Sequence, residues 1–101
     1  MYFSVVVPTY RDRERLKLLL KALDEQNFKS DPWEVIVVNN DPNEDVKVEE
    51  NYSFPITLQN ENRPGSYAAR NKGVNSAIGK VIAFIDSDCI PNKDWLQVAY
   101  H

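Results

Sequence analysis

The run Val81-Ile82-Ala83-Phe84-Ile85-Asp86-Ser87-Asp88 decides the fold. Five apolar residues in succession suit a strand buried on both faces, as in a parallel sheet. The run then stops at two carboxylates separated by one serine. Side chains alternate along a strand, so Asp86 and Asp88 are expected to leave it on the same side. Like charges that close repel unless a cation or a donor-rich ligand satisfies them. The pair therefore points to a metal or polar-ligand site at a strand end, against the simpler alternative of a solvated acidic turn.

The same grammar recurs upstream. Phe3 to Val7 is a β-branched run stopped by Pro8, and Glu34-Val35-Ile36-Val37-Val38 is a second buried strand ending in Asn39-Asn40-Asp41. Pro55 to Leu58 reads as a short third strand. Between the first two, Leu16, Leu19, Leu20 and Leu23 recur at helical spacing after Asp12, a candidate N-cap. Residues 43–53 are acidic and aperiodic, which predicts a surface loop or a short helix. A second helix is expected over Ser66 to Ile78, with Ala69, Gly73 and Ala77 forming a small-residue stripe against the sheet. Gly79 fits the left-handed position past a helix end. A third helix starts near Pro91 to Asp94, with Trp95, Leu96 and Ala99 on one face, and its short length reads as a truncated domain.

Strands alternating with helices predict an open, mainly parallel α/β sheet of about four strands with flanking helices. Ligands of such sheets sit beyond the carboxyl ends of the strands. Three polar clusters fall there: Thr9-Tyr10-Arg11, Asn39-Asn40-Asp41 and Asp86-Ser87-Asp88. Their convergence on one edge is the strongest purely physical indication of a site.

Composition narrows the classes. The 101 residues support one domain, and 43% apolar content with mixed charge describes a globular chain. A net charge of −3 gives no electrostatic case for nucleic acid. The single Cys89 cannot form an internal disulfide and reads as a small buried or half-buried thiol. No apolar stretch approaches the ~20 residues needed to span a bilayer. A reducing, cytoplasmic setting is expected, at the inner face of the membrane for a longer protein.

With these residues assembled, the sequence resembles the N-terminal half of the family 2 glycosyltransferases of GT-A (Rossmann-like) fold. The similarity is carried by Val5-Val6-Val7-Pro8-Thr9-Tyr10, by the second strand with its polar end, and by Ala69-Arg70-Asn71-Lys72-Gly73 running on to Asp86-Ser87-Asp88. Cys89-Ile90-Pro91 and Asp94-Trp95-Leu96 continue it. The resemblance implies a nucleoside diphosphate sugar donor, a carbohydrate or lipid-linked acceptor of the kind used in polysaccharide biosynthesis, and a divalent Mg²⁺ or Mn²⁺. Carried over residue by residue, Asp88 would ligate the metal. Asp86 would hydrogen-bond the ribose or reach the metal through water. Pro8, Thr9 and Tyr10 would frame the nucleoside, with Tyr10 either stacking on the base or packing over the first helix. Arg70 would reach the base or the diphosphate.

Two departures from the family pattern stand out. Asn39-Asn40 replaces the frequent Asp-Asp after the second strand. An asparagine there can still accept a uracil N–H, and Asp41 is a second candidate for that role. Arg11 replaces an asparagine, with no consequence derivable from sequence. Family 2 enzymes invert the anomeric centre, and their catalytic base lies downstream of the acid pair. Residues 1–101 are therefore expected to be the donor-binding part, inactive alone, with the acceptor-binding part absent. The rival is a non-catalytic nucleotide- or metal-binding module or a degenerate transferase. Receiver domains and Asp-x-Asp phosphatases compete poorly, because they want their acids after the first strand.

Overall fold

A computed structural model of the chain describes residues 1–49 and 51–100. Four strands, β1 (Phe3–Thr9), β2 (Trp33–Asn39), β3 (Ile56–Asn60) and β4 (Val81–Phe84), form one sheet in the order β3-β2-β1-β4. Every neighbouring pair is parallel, with Val5 opposite both Val35 and Ala83. Helices α1 (Arg13–Asp24), α2 (Ser66–Ser76) and α3 (Trp95–Tyr100) complete the chain. The open parallel α/β sheet expected from the sequence is thus observed.

The two central strands are buried along their whole length, which is why they read as continuous apolar runs. Alternation divides their side chains between two layers. Val5, Val7, Val35 and Val37 join Leu16, Leu19, Leu20 and Leu23 of α1 in the larger core. Ile36 and Val38 meet Ala69 of α2 on the opposite face. The small-residue stripe does what its spacing suggests, for a Cβ on Gly73 would collide with the Val6 side chain. Trp33 closes the base of β2 by packing on Phe54, ring centroids 4.8 Å apart.

Several expectations need correction. Pro8 does not stop β1, which continues to Thr9. Val6 turns its carbonyl to the β4 side, where Ile85 N–H donates to it at 3.2 Å. By alternation Pro8 faces that side too, but the β4 pairing has ended at Val6 and Phe84, so the missing N–H forfeits no ladder bond. Strand β4 is not buried on both faces: Val81 and Phe84 are exposed, because β4 lies at the sheet edge and α2 packs on the other three strands. In α3 the inward face is Trp95, Leu96 and Tyr100, while Ala99 is exposed. Buried Gln26 fixes that helix by accepting Leu96 N–H at 3.0 Å and donating to Asn92 O at 2.6 Å.

Gly79 is not left-handed; among the described residues the only positive-φ glycine is Gly65. A Cβ on Gly79 would sit 2.6 Å from Ser4 N and 2.7 Å from Phe3 C, so glycine is required by close backbone approach. That approach is held by a buried network. Gly79 N–H donates to Ser4 Oγ at 2.7 Å, Ser4 Oγ–H donates to Glu34 Oε2 at 2.5 Å, and Ile78 N–H donates to the same oxygen at 2.9 Å. The Glu34 carboxylate thereby ties the α2–β4 turn to the two central strands.

Candidate functional site

Beyond the carboxyl ends of β1, β2 and β4 lies a cleft of about 770 Å³. Pro8 and Thr9 from β1, Tyr10 just past it, Asp41 after β2, and Asp86 and Asp88 after β4 all line it. The convergence expected from sequence is realised for these six. Asn39 and Arg70 do not line the cleft, although Arg70 contacts Asp86 at its edge.

Asn39 is buried and its amide is spent on the loop it starts. Nδ2 donates to Asp41 O (3.1 Å), Glu44 O (2.8 Å) and Asn60 Oδ1 (3.1 Å), and Oδ1 accepts Asp41 N–H at 3.1 Å. The next residue faces the cleft instead. Asn40 lines the cleft, and its Nδ2 donates to Glu61 O (2.8 Å) and Arg63 O (2.7 Å). Two carbonyl acceptors fix which end of the amide is nitrogen, so the group cannot flip without opposing oxygen to oxygen. Among the described residues Asn40 Oδ1 takes no hydrogen bond, leaving it as an acceptor. Parity was the missed signal: Asn39 is a ladder residue, paired with Thr9 and Asn60, and Asn40 is the first beyond the ladder.

Asp41 is buried, accepting Asn43 N–H (3.0 Å) on one oxygen and Arg11 Nε–H (2.9 Å) on the other. These two bonds, the backbone one first, hold its carboxyl below the usual carboxylate range. Arg11 also lies over the Tyr10 ring, 5.0 Å from its centroid. The sequence alone assigns Arg11 no role, because the carboxylate that holds it, Asp41, lies thirty positions along the chain.

On the far side of the cleft the chain leaves β4 at Phe84 and turns, Cys89 N–H donating to Asp86 O at 3.0 Å. The two acids therefore share the cleft through a turn rather than through strand alternation. Both are exposed, as is Cys89, contrary to the buried or half-buried thiol expected. Between the acids, Ser87 is buried and its Oγ donates to Asp12 Oδ2 at 3.3 Å. Asp12 occupies the N-cap position of α1 but makes no side-chain cap; its carboxylate serves Ser87 and, at 3.8 Å, Arg15. Arg70 reaches the pair from α2, with Nη2 3.3 Å from Asp86 Oδ1 and its guanidinium 6.0 Å from the Phe84 ring centroid.

Asp86 and Asp88 present hard oxygen ligands that are only lightly engaged, by Arg70 and by the Cys89 thiol (3.6 Å to Asp88 Oδ1). No third His, Cys, Asp or Glu joins them in a ligating group among the described residues. This donor set fits Mg²⁺ or Mn²⁺, which accept one or two carboxylates and complete their shell with water and substrate phosphate. The cleft also contains Asp12 and Asp41, so an anionic ligand entering near the acid pair would meet repulsion without a cation. Gly65 and Ser66 at the start of α2 line the cleft too, with no side-chain cap on that helix, so its free N–H groups favour an anion. Gly65 has φ 103°, a backbone that other residues rarely adopt.

The family model described as glycosyl transferase family 2 matches residues 4–101. The chain belongs to that family. Glycosyltransferase AglE of Haloferax volcanii is 33% identical over 102 residues, covering 95% of this chain and 33% of AglE. The structure of Staphylococcus aureus TarS in complex with UDP-GlcNAc superposes with a TM-score of 0.78 at 28% identity, over 99% of this chain and 30% of that one. The mannosyltransferase PcManGT from Pyrobaculum calidifontis, in complex with GDP-Man and Mn²⁺, gives a TM-score of 0.79 at 26% identity, over 97% of this chain and 31% of that one. This family 2 chain therefore has the GT-A fold and spans about a third of each of these relatives. Its helices include none long and apolar enough to cross a membrane among the described residues.

Proposed function

We propose that this chain is the donor-binding part of an inverting, metal-dependent glycosyltransferase. The enzyme would move a sugar from a nucleoside diphosphate sugar to a hydroxyl of a carbohydrate or lipid-linked acceptor. The observation that carries the proposal is the strand-end cleft, which joins an aromatic ring and a fixed amide acceptor on one side to two carboxylates on the other. Tyr10 offers its ring to the base, and Asn40 Oδ1 accepts a ring N–H. Support comes from the family and from two solved relatives in complex with UDP-GlcNAc and GDP-Man.

Asp88 would hold Mg²⁺ or Mn²⁺, and Asp86, steadied by Arg70, would meet the ribose or the metal's water. When bound, the cation offsets the charge gathering on the departing diphosphate. In the transfer, the acceptor oxygen bonds the anomeric carbon as the bond to the diphosphate oxygen breaks. The electron pair leaves with the nucleoside diphosphate, and the acceptor proton passes to a carboxylate within hydrogen-bond reach. Asp94 is no candidate, because it lies outside the cleft in the turn before α3. We assign the base to sequence beyond this chain, so residues 1–101 bind donor without transferring sugar. The reaction is proposed to run in the cytoplasm, at the inner membrane face when the acceptor is lipid-linked.

Calorimetric titration of nucleoside diphosphates, with and without Mn²⁺, tests the donor site. Micromolar to millimolar binding strengthened by Mn²⁺ is expected. A folded protein that binds none of them refutes the proposal.

A further inference from the structure

Arg11 is the one non-glycine residue among those described with a positive φ, 53°. A side chain in that conformation costs free energy and persists only where its surroundings hold it. Two contacts do so here: the 2.9 Å bond from Nε to Asp41 Oδ2 and the stack over Tyr10. The anchoring carboxylate is only 4% exposed, whereas the Arg11 side chain is 60% exposed and lines the cleft. Only Nε is engaged. Among the described residues neither Nη group donates a hydrogen bond, so four N–H donors remain available.

The sheet order says which part of a nucleotide these donors meet. The end of β1 lies between the ends of β2 and β4. Asp41, the residue after Asn40, draws Arg11 to the β2 side of the cleft and away from Asp86 and Asp88 on the β4 side. The diphosphate and its cation belong with the acid pair, so the base belongs with Tyr10, Asn40 and Arg11. That rim offers one fixed acceptor and a fork of donors. The complementary ligand edge is a ring N–H beside a carbonyl, which uracil and guanine have. Adenine and cytosine have no ring N–H to give Asn40.

We propose that Arg11 is a specificity-determining residue: its guanidinium, held by Asp41, donates to the base carbonyl flanking the ring N–H that Asn40 accepts. Uridine or guanosine diphosphates are thereby selected over adenosine and cytidine diphosphates. The inference rests on the donor-site reading and goes beyond it in naming which base edge is read and by what.

The test is calorimetry with UDP, GDP, ADP and CDP in Mn²⁺, on the wild type and on Arg11→Asn and Arg11→Gly. Asparagine tolerates the left-handed backbone and glycine relieves it, so a shared loss reflects the guanidinium rather than the fold. The wild type should prefer UDP or GDP. Both variants should weaken the preferred nucleotide by roughly ten-fold or more, the worth of one charge-assisted hydrogen bond, and change ADP and CDP by less than about two-fold. An equal loss for all four nucleotides would mean that Arg11 senses the diphosphate, and overturns the inference. Unchanged or tighter binding overturns it as well, since Arg11 would then only cover the Tyr10 ring. So does a wild-type preference for ADP or CDP. No binding of any nucleotide to folded wild type defeats the donor-site reading itself, and this inference with it.

Discussion

Replacing Gly79 by alanine and by asparagine separates two reasons for a glycine at that position. If conformational freedom were the reason, asparagine would be the milder change, because it visits the left-handed region. The structure gives close approach instead: any Cβ meets the Ser4 backbone nitrogen at 2.6 Å and the Phe3 carbonyl carbon at 2.7 Å. Ordinary contact begins near 3.4 Å. The α2–β4 turn must therefore retreat by about 0.8 Å, from 2.6 to 3.4 Å, and the obstructing atoms belong to the central strand. Overpacking of a rigid site costs ~1–3 kcal/mol. Stretching the Gly79 N–H bond to Ser4 Oγ forfeits a further ~0.5–1.5 kcal/mol.

The expected destabilisation of Gly79→Ala is thus roughly 2–4 kcal/mol. In urea unfolding, with a slope of about 2 kcal/mol per molar, the midpoint should fall by roughly 1–2 M. Asparagine should be at least as damaging. Because this turn feeds the strand that leads into the Asp86–Asp88 turn, Mn²⁺-dependent nucleotide binding should weaken in whatever fraction stays folded. A loss under about 0.5 kcal/mol for alanine, within the range of surface substitutions, or an asparagine variant milder than alanine, would refute the steric account.

Other perturbations probe the cleft directly. Asp88→Asn should abolish most of the Mn²⁺-dependent gain in nucleotide affinity, roughly ten-fold or more, while metal-free binding holds or improves because one repelling charge is gone; calorimetry with and without Mn²⁺ reads both. Asn40→Ala removes two bonds to the Glu61 and Arg63 carbonyls, so stability should drop by ~1–3 kcal/mol and amide exchange should quicken over residues 61–66. The Asp41 carboxyl has a folded pKa below its unfolded value near ~3.9, so its stabilisation is present above about pH 4 and lost as pH falls through the folded value. The stability gap between wild type and Asp41→Asn, from urea titrations, should therefore be constant from pH 7 to about 5 and close below about pH 4. Ser87→Ala, which frees the acid-bearing turn from Asp12, should weaken Mn²⁺-dependent nucleotide binding severalfold and shift the urea midpoint little.

What the sequence made legible followed from periodicity and order along the chain. The leucines of α1, the small residues of α2 and the paired valine runs of β1 and β2 each state a burial pattern that one geometry satisfies. Strand ends are legible for the same reason, since an abrupt change from apolar to polar marks where the sheet stops. The exposure of β4 is not legible, because an apolar run does not say whether a strand is central or at the edge; sheet order decides that. Which of Asn39 and Asn40 faces the cleft is not legible along the chain, because it turns on one residue of ladder length, set by pairing with Thr9 and Asn60.

The acceptor and the arginine beside it illustrate why site detail resists a reading along the chain. Asn40 is an acceptor only because Glu61 and Arg63 consume its donors, and Arg11 is poised only because Asp41 holds it. A carboxylate at position 40 would supply an acceptor unaided but would add a negative charge beside Asp41. The amide supplies the same acceptor without that charge, which leaves the Asp41 carboxylate free to anchor Arg11. The two departures from the family pattern, an amide for an acid and an arginine for an asparagine, are thus one change in charge distribution on the same rim. If so, their effects on nucleotide selection should be coupled: Asn40→Asp and Arg11→Asn together should differ from the sum of the single changes by more than about 0.5 kcal/mol in a double-mutant cycle. Additive effects would mean that the two positions read the ligand independently.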